Sequence, residues 1–170
     1  MDVIASEVLP TNELVHVEKL FNEIGSYPKE EIRAIIADVQ KAVEAEPQIE
    51  VPITHHFSKD VYAREMRLKS GSFIVGKIHK FENLNILSQG EVSVLSIDGV
   101  KRMKAPTTFV GSIGAKRVIL AHSDVVWTTI HGTSERDVDK IEDTFIAKSY
   151  AEVEEQDLIE IITEEKLCLG

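Results

Sequence analysis

The chain has 170 residues, 43% of them apolar and 28% charged, and a net charge of −10. That length supports one compact domain with appendages, whose core needs no disulfide or metal to hold it. The lone cysteine, Cys168, excludes an internal disulfide, the acidic balance argues against nucleic acid, and no apolar run reaches the roughly 18–20 residues of a membrane span.

The opening MDVIASEVLP lacks the basic and apolar regions of a signal peptide, so a cytoplasmic protein is expected. Charge is unevenly spread: −7 over residues 1–50, +5 over 51–133 and −8 over 134–170. The same boundaries divide the chain by pattern into an N-terminal helical arm, a β-barrel and an acidic helical C-terminal segment. Acidic ends either dock on a basic barrel, in the same chain or a neighbour, or present solvated faces.

Val17, Leu20, Phe21 and Ile24 form one apolar stripe at helical spacing, closed by Gly25. A second helix is predicted over 28–45, with Pro28 in its first turn, Glu30 and Glu31 at its positive end, and Ile32, Ile35, Ile36, Val39 and Val43 as its stripe. Each helix has one apolar face, which must be covered by the other helix, the barrel or another subunit; an assembly arm is the expectation. The stretch PQIEVP around Pro47 reads as an extended linker.

From residue 53 the period becomes 2. Strands are predicted at 61–68, 72–79, 84–88, 92–97, 100–104, 107–111, 116–122 and 125–131, most of them separated by turn residues. Asp98-Gly99 is the sharpest turn signal, an Asp-Gly pair expected at the centre of a tight hairpin. Short strands at this spacing point to an antiparallel sandwich or barrel. Helical spacing returns after 133, with Ser134 as the expected cap and Val138, Ile141 and Phe145 as a stripe; 150–167 is acidic and carries the apolar patch LIEII.

The stretch GSFIVGKIHKFENLNILSQG resembles the first motif of the cupin family: glycine, five residues, His-x-His, three or four residues, glutamate, six residues, glycine. Gly71, Lys77, His79, Asn83 and Gly90 stand at those positions, with lysine for the first histidine and asparagine for the glutamate. In the second motif Ile113-Gly114 replaces a Pro-Gly turn and Arg117 the last histidine. The ending VVWTTIHGT, followed by an acidic helix, is similar to short cupin-like proteins of tailed bacteriophages. The resemblance implies a mainly β, jelly-roll antiparallel barrel flanked by helical arms. Period 2 puts Phe73, Val75, Lys77 and His79 on one face, and the resemblance turns that face inward, with Arg117 entering from a partner strand.

In the family three imidazoles and a carboxylate hold a divalent metal. Lysine and arginine are cationic and poor ligands, so neither metal nor cofactor is expected here. Two readings of the set stay open. In one, Lys77, His79 and Arg117 form an anion pocket with Glu82 and Asn83 orienting the ligand. In the other the set is a relic whose cations pair with Glu82, Glu65 or Glu91. A metal set of His79, Glu82 and His122 is the remaining variant. His131, at a strand end, is expected to be hydrogen-bonded or exposed, and Trp127 to be core. No complete catalytic signature appears. The expectation is therefore a non-enzymatic homo-oligomer, a structural or accessory component such as a phage virion protein, partnered by itself or by other subunits, with no nucleic acid or membrane. The alternatives are a binder of a small anionic ligand, a metal-independent cupin isomerase or sugar-modifying enzyme with His79 as general base, and a metal-dependent cupin enzyme.

Overall fold

The computed structural model of the chain describes residues 4–6 and 27–154. The expected helix at 17–24, the LIEII patch and Cys168 lie outside the described residues. In chain order the elements are β1 (Ile4–Ser6), α1 (Lys29–Glu44), β2 (Ile53–Ser58), β3 (Val61–Leu68), β4 (Phe73–Val75), β5 (Ile78–His79), β6 (Asn83–Gln89), β7 (Glu91–Ser96), β8 (Gly99–Lys104), β9 (Thr107–Gly111), β10 (Val118–Ala121), β11 (Val125–Gly132), α2 (Val138–Phe145) and β12 (Ile146–Ala147).

Two antiparallel sheets face each other, in the orders β1-β4-β10-β7-β8 and β2-β3-β11-β6-β9. Apart from the hairpins β2–β3 and β7–β8, consecutive strands from β2 to β11 pass to the facing sheet or to a distant partner, which is jelly-roll winding. Alternation along each strand sends Met66, Leu68, Leu87, Val92, Val94, Ile119, Val125 and Trp127 into the space between the sheets, where they form the main core. The expected linker is part of this core, since Ile49 and Val51 pack against it.

The opposite residues of β4, β7 and β10 make a second apolar layer. Phe73, Val75, Leu95, Val118 and Leu120 pack there against Ile32, Ile36 and Val43 of α1. Burying each such aliphatic side chain contributes roughly 1.5–3 kcal/mol, so α1 is a substantial part of the barrel's stability. Strand β1 lies on the edge of the same sheet beside β4, and the Gln48 side chain holds it by accepting from the Ala5 N–H at 3.1 Å. Of the three surfaces open to the stripe of α1, the barrel of the same chain is the one that covers it: the described part of residues 1–50 contributes a strand and a covering helix to that barrel.

Three local expectations also change. Phe73 and Val75 face α1, not the interior, because the strand breaks after Val75: β5 resumes only at Ile78 and pairs with β12. The break reverses the alternation, so that Lys77 and His79 still turn inward. At the β7–β8 hairpin Ser96 pairs with Gly99, which puts Ile97 and Asp98 at the centre of the turn, and Gly99 takes φ 90° as the residue after it. The cap of α2 is Asp137, whose carboxylate accepts from the Asp139 and Lys140 N–H groups, and not Ser134.

Helix α2 and β12 close one end of the barrel. Lys80 donates its backbone N–H to Phe145 O at 2.8 Å and its ammonium to Asp143 O at 2.9 Å. Arg33 of α1 meets Glu154 at 3.0 Å and lies 4.3 Å over the Tyr150 ring. In the described part of the C-terminal segment, Glu142 and Glu152 pair with Lys77 and Lys80 of the barrel.

A cationic cavity beneath the C-terminal helix

The end of the barrel closed by α2 holds a cavity of about 80 Å³ between the two sheets. Its walls follow from strand alternation. Tyr62, Arg64 and Met66 come from β3, Asn85 from β6, and Trp127, Thr129 and His131 from β11. Ile74, Lys77, His79, Arg117 and Ile119 line the facing side, and Ile141, Glu142 and Phe145 of α2 form the roof.

Arg64 sits where a core residue is expected, between Tyr62 (1% exposed) and Met66 (5%) on the same face of β3. Its Nε and Nη2 atoms are shut off from solvent and have no hydrogen-bond partner. Burial pulls its pKa down, opposed in part by the nearby Glu142 carboxylate; a guanidinium nevertheless stays protonated at neutral pH. Arg117 is 8% exposed. Burial lowers its pKa to about 10, with Asp98 pulling the other way, so it too is a cation. Its guanidinium lies 5.7 Å from the Phe109 ring centre and reaches the backbone of Gly111. A side chain at Gly111 would collide with Arg117 Nη2 and stand 2.7 Å from Asn83 Oδ1, so glycine is what admits the guanidinium here.

Four rings run in file beside these cations. His55 stacks on Tyr62 at 5.8 Å, Tyr62 on His131 at 6.4 Å, and His131 on His79 at 5.6 Å, each pair within 18° of parallel. His55 Nδ1 and the Tyr62 hydroxyl share a hydrogen bond of 2.7 Å. The Nδ1 atoms of His79 and His131 are buried and unpartnered. Burial pushes His79 down to about 3, helped by the positive charges of Arg117 and Arg64, and burial alone takes His131 to about 4. Both rings are neutral near pH 7.

A fully satisfied polar network supports the floor. Asn85, 0% exposed, accepts from Trp127 Nε1 at 3.0 Å and Thr129 Oγ1 at 3.1 Å, and donates to Asn83 Oδ1 at 2.6 Å.

Of the residues singled out in the sequence, the fold brings Lys77, His79 and Arg117 to the cavity. Lys77 is ion-paired there with Glu142, which replaces the expected partners; Glu65 and Glu91 instead hold Arg67 and Arg102. Asn83 is buried just behind the wall, its Oδ1 committed to Asn85. Glu82, the residue just before β6, is exposed and is not among the residues lining the cavity. His122 is bonded to Ser93 at 2.7 Å and is not among the residues lining the cavity. His131 is 7% exposed with an unpaired nitrogen, contrary to the expectation for a strand end. Arg64, Tyr62, His131 and Glu142 were not assigned to the site from sequence. The Tyr62-x-Arg64-x-Met66 alternation carried the signal for Arg64.

These residues do not fit the divalent metal of the cupin family. Lysine and arginine occupy two ligand positions, the asparagine oxygen of a third is already bonded, and Arg64 adds another cation. Among the described residues no group of three or more His, Cys, Asp or Glu stands together as a metal site requires.

The interleaved strand order and the closed end define the fold as an antiparallel jelly roll. Part of the chain is similar to solved structures at low identity. A cupin superfamily protein from Desulfitobacterium hafniense matches 54% of this chain and 85% of its own, with 12% identity and a TM-score of 0.44. An RmlC-like cupin family protein from Methanocaldococcus jannaschii matches over 50% and 82%, with 11% identity and a TM-score of 0.43. A putative ethanolamine utilization protein Q from Salmonella typhimurium matches over 50% and 71%, with 13% identity and a TM-score of 0.42. No protein-family model matches the sequence, and no curated protein does.

Proposed function

We propose that this chain is a binding protein for a small anion held in the cavity under α2. One observation carries the reading: Arg64 stands inside the barrel with two N–H groups buried and unpaired. Buried polar groups are normally partnered, and a buried charge without a counter-charge costs several kcal/mol. A bound anion supplies both the acceptor and the charge. Arg117 adds a second buried cation, while Glu142, the one carboxylate among the lining residues, is taken up by Lys77.

The alternatives draw less support. A base with a pKa of about 3 takes up protons weakly at neutral pH, so His79 is poorly suited to be the general base of a metal-independent enzyme. The assembly reading, including a phage structural component, rests on the replaced metal ligands, the phage-like ending and the apolar stripes of the arm; of those stripes, the one on α1 is covered by its own barrel.

The test uses the full chain, exchanged into a buffer of bulky zwitterions. Thermal unfolding is followed as acetate, phosphate, sulfate and larger organic anions are added. The expected result is a midpoint that rises with the concentration of at least one anion, as mass action requires. Glu142→Gln, which removes the carboxylate from the wall, is expected to bind that anion more tightly. Midpoints independent of every anion would overturn the proposal.

A further inference from the structure

We infer that the anion is a single carboxylate on a small molecule with an apolar body, seated on the Nε–Nη2 edge of Arg64; this rests on the anion-binding reading above. The two unpaired nitrogens of Arg64 are adjacent on one side of the guanidinium, and their N–H bonds point the same way. That edge is the half of a fork whose other half is a pair of oxygens on one carbon. What the buried edge lacks is thus a two-pronged planar acceptor and not merely a negative charge.

The remaining contacts limit the ligand to one acidic group. Arg117 lines the cavity and adds charge, but its Nη2 lies against Gly111 beside the Phe109 ring, so it offers no second fork, and Lys77 is neutralised by Glu142. His79 and His131 offer uncharged nitrogens. A phosphate or sulfate on the Arg64 edge would leave its other oxygens facing a wall of Met66, Ile74, Ile119, Trp127, Ile141 and Phe145, most of it hydrocarbon. A second carboxylate would meet the same surface, at the cost of stripping its water. The same wall suits a short aliphatic or single-ring body, and the volume of about 80 Å³ admits nothing long.

Calorimetric titration of the full chain with isovalerate, benzoate, isovaleramide, succinate and inorganic phosphate tests this. Isovalerate or benzoate is expected to bind one per chain, and isovaleramide, which has the same body without the charge, roughly tenfold more weakly or worse. Arg64→Lys keeps the charge but not the fork and is expected to weaken the acid by a similar factor. The acid–amide comparison on the unaltered chain needs no variant to fold. Tight binding of phosphate or succinate with none of isovalerate or benzoate would overturn this inference and leave the anion-binding reading standing. Acid binding that is unchanged in Arg64→Lys would overturn the forked seat. Binding of none of the anions would remove both readings.

Discussion

Replacing Asn85 by leucine removes the hub of the buried network without much change in volume. Trp127 Nε1 loses its acceptor in a residue 3% exposed, and Asn83 Oδ1 loses its donor in one 4% exposed. Thr129 is half-buried and can turn its hydroxyl to the cavity. Two stranded groups at about 1–3 kcal/mol each cost about 2–6 kcal/mol and a buried leucine returns about 1.5–3 kcal/mol, for a net loss of about 1–3 kcal/mol. Against a total stability on the order of 5–15 kcal/mol this is appreciable, and it corresponds to a fall in Tm of about 2–12 °C. Urea unfolding read by circular dichroism measures it. Adding Trp127→Phe removes the stranded donor, so the double variant should recover about 1–2 kcal/mol relative to additivity. A loss under about 1 kcal/mol, with no coupling between the two sites, would show that water or a shifted strand satisfies these groups and that the network is not what orders the floor.

Three further outcomes are expected. Gly111→Ala drives a methyl into the Arg117 guanidinium and close to Asn83, so it should cost about 1–3 kcal/mol by overpacking, measured by thermal unfolding. Burial holds the folded pKa values of His79 and His131, about 3 and about 4, below the ordinary imidazole value of 6.5. The unfolded chain therefore binds more protons between these limits, and stability is complete above pH 6.5 and falls as pH drops; at pH 5 the two rings together remove on the order of 4 kcal/mol, and His79→Gln with His131→Gln should flatten that slope in urea titrations. Ile36→Ala, at a fully buried position between α1 and the sheet, should cost about 2–5 kcal/mol at any protein concentration; a cost that appears only when the protein is diluted would place this face between subunits.

Strand positions were legible because alternation and turn chemistry agree along the barrel: the predicted 61–68 and 107–111 coincide with β3 and β9. The glycines of the cupin-like motifs carried physical information as well. Gly71, Gly90 and Gly114 take φ of 88°, 92° and 72°, which a side chain resists. What stayed hidden depends on non-local pairing. The break at Gly76 that reverses the facing of Phe73 and Val75 comes from β5 leaving β10 for β12, a partner some 70 residues away. Glu142 reaches Lys77 only because that pairing folds α2 over the barrel end. Arg64 lies outside the motif strand, and only the interior position it takes in the alternation of β3 marks it in the sequence. The destination of the α1 stripe was open because an apolar face specifies burial but not the surface that buries it.

The chain has a single tryptophan, and that tryptophan is the residue whose ring lines the cavity and whose N–H is held by Asn85. The protein therefore contains one indole, fixed in orientation beside two guanidinium charges. Any molecule that enters displaces whatever stands against the indole and alters the local field. Emission from the unlabelled protein is a direct optical record of the cavity, free of signal from elsewhere in the chain when excitation is confined to the indole band.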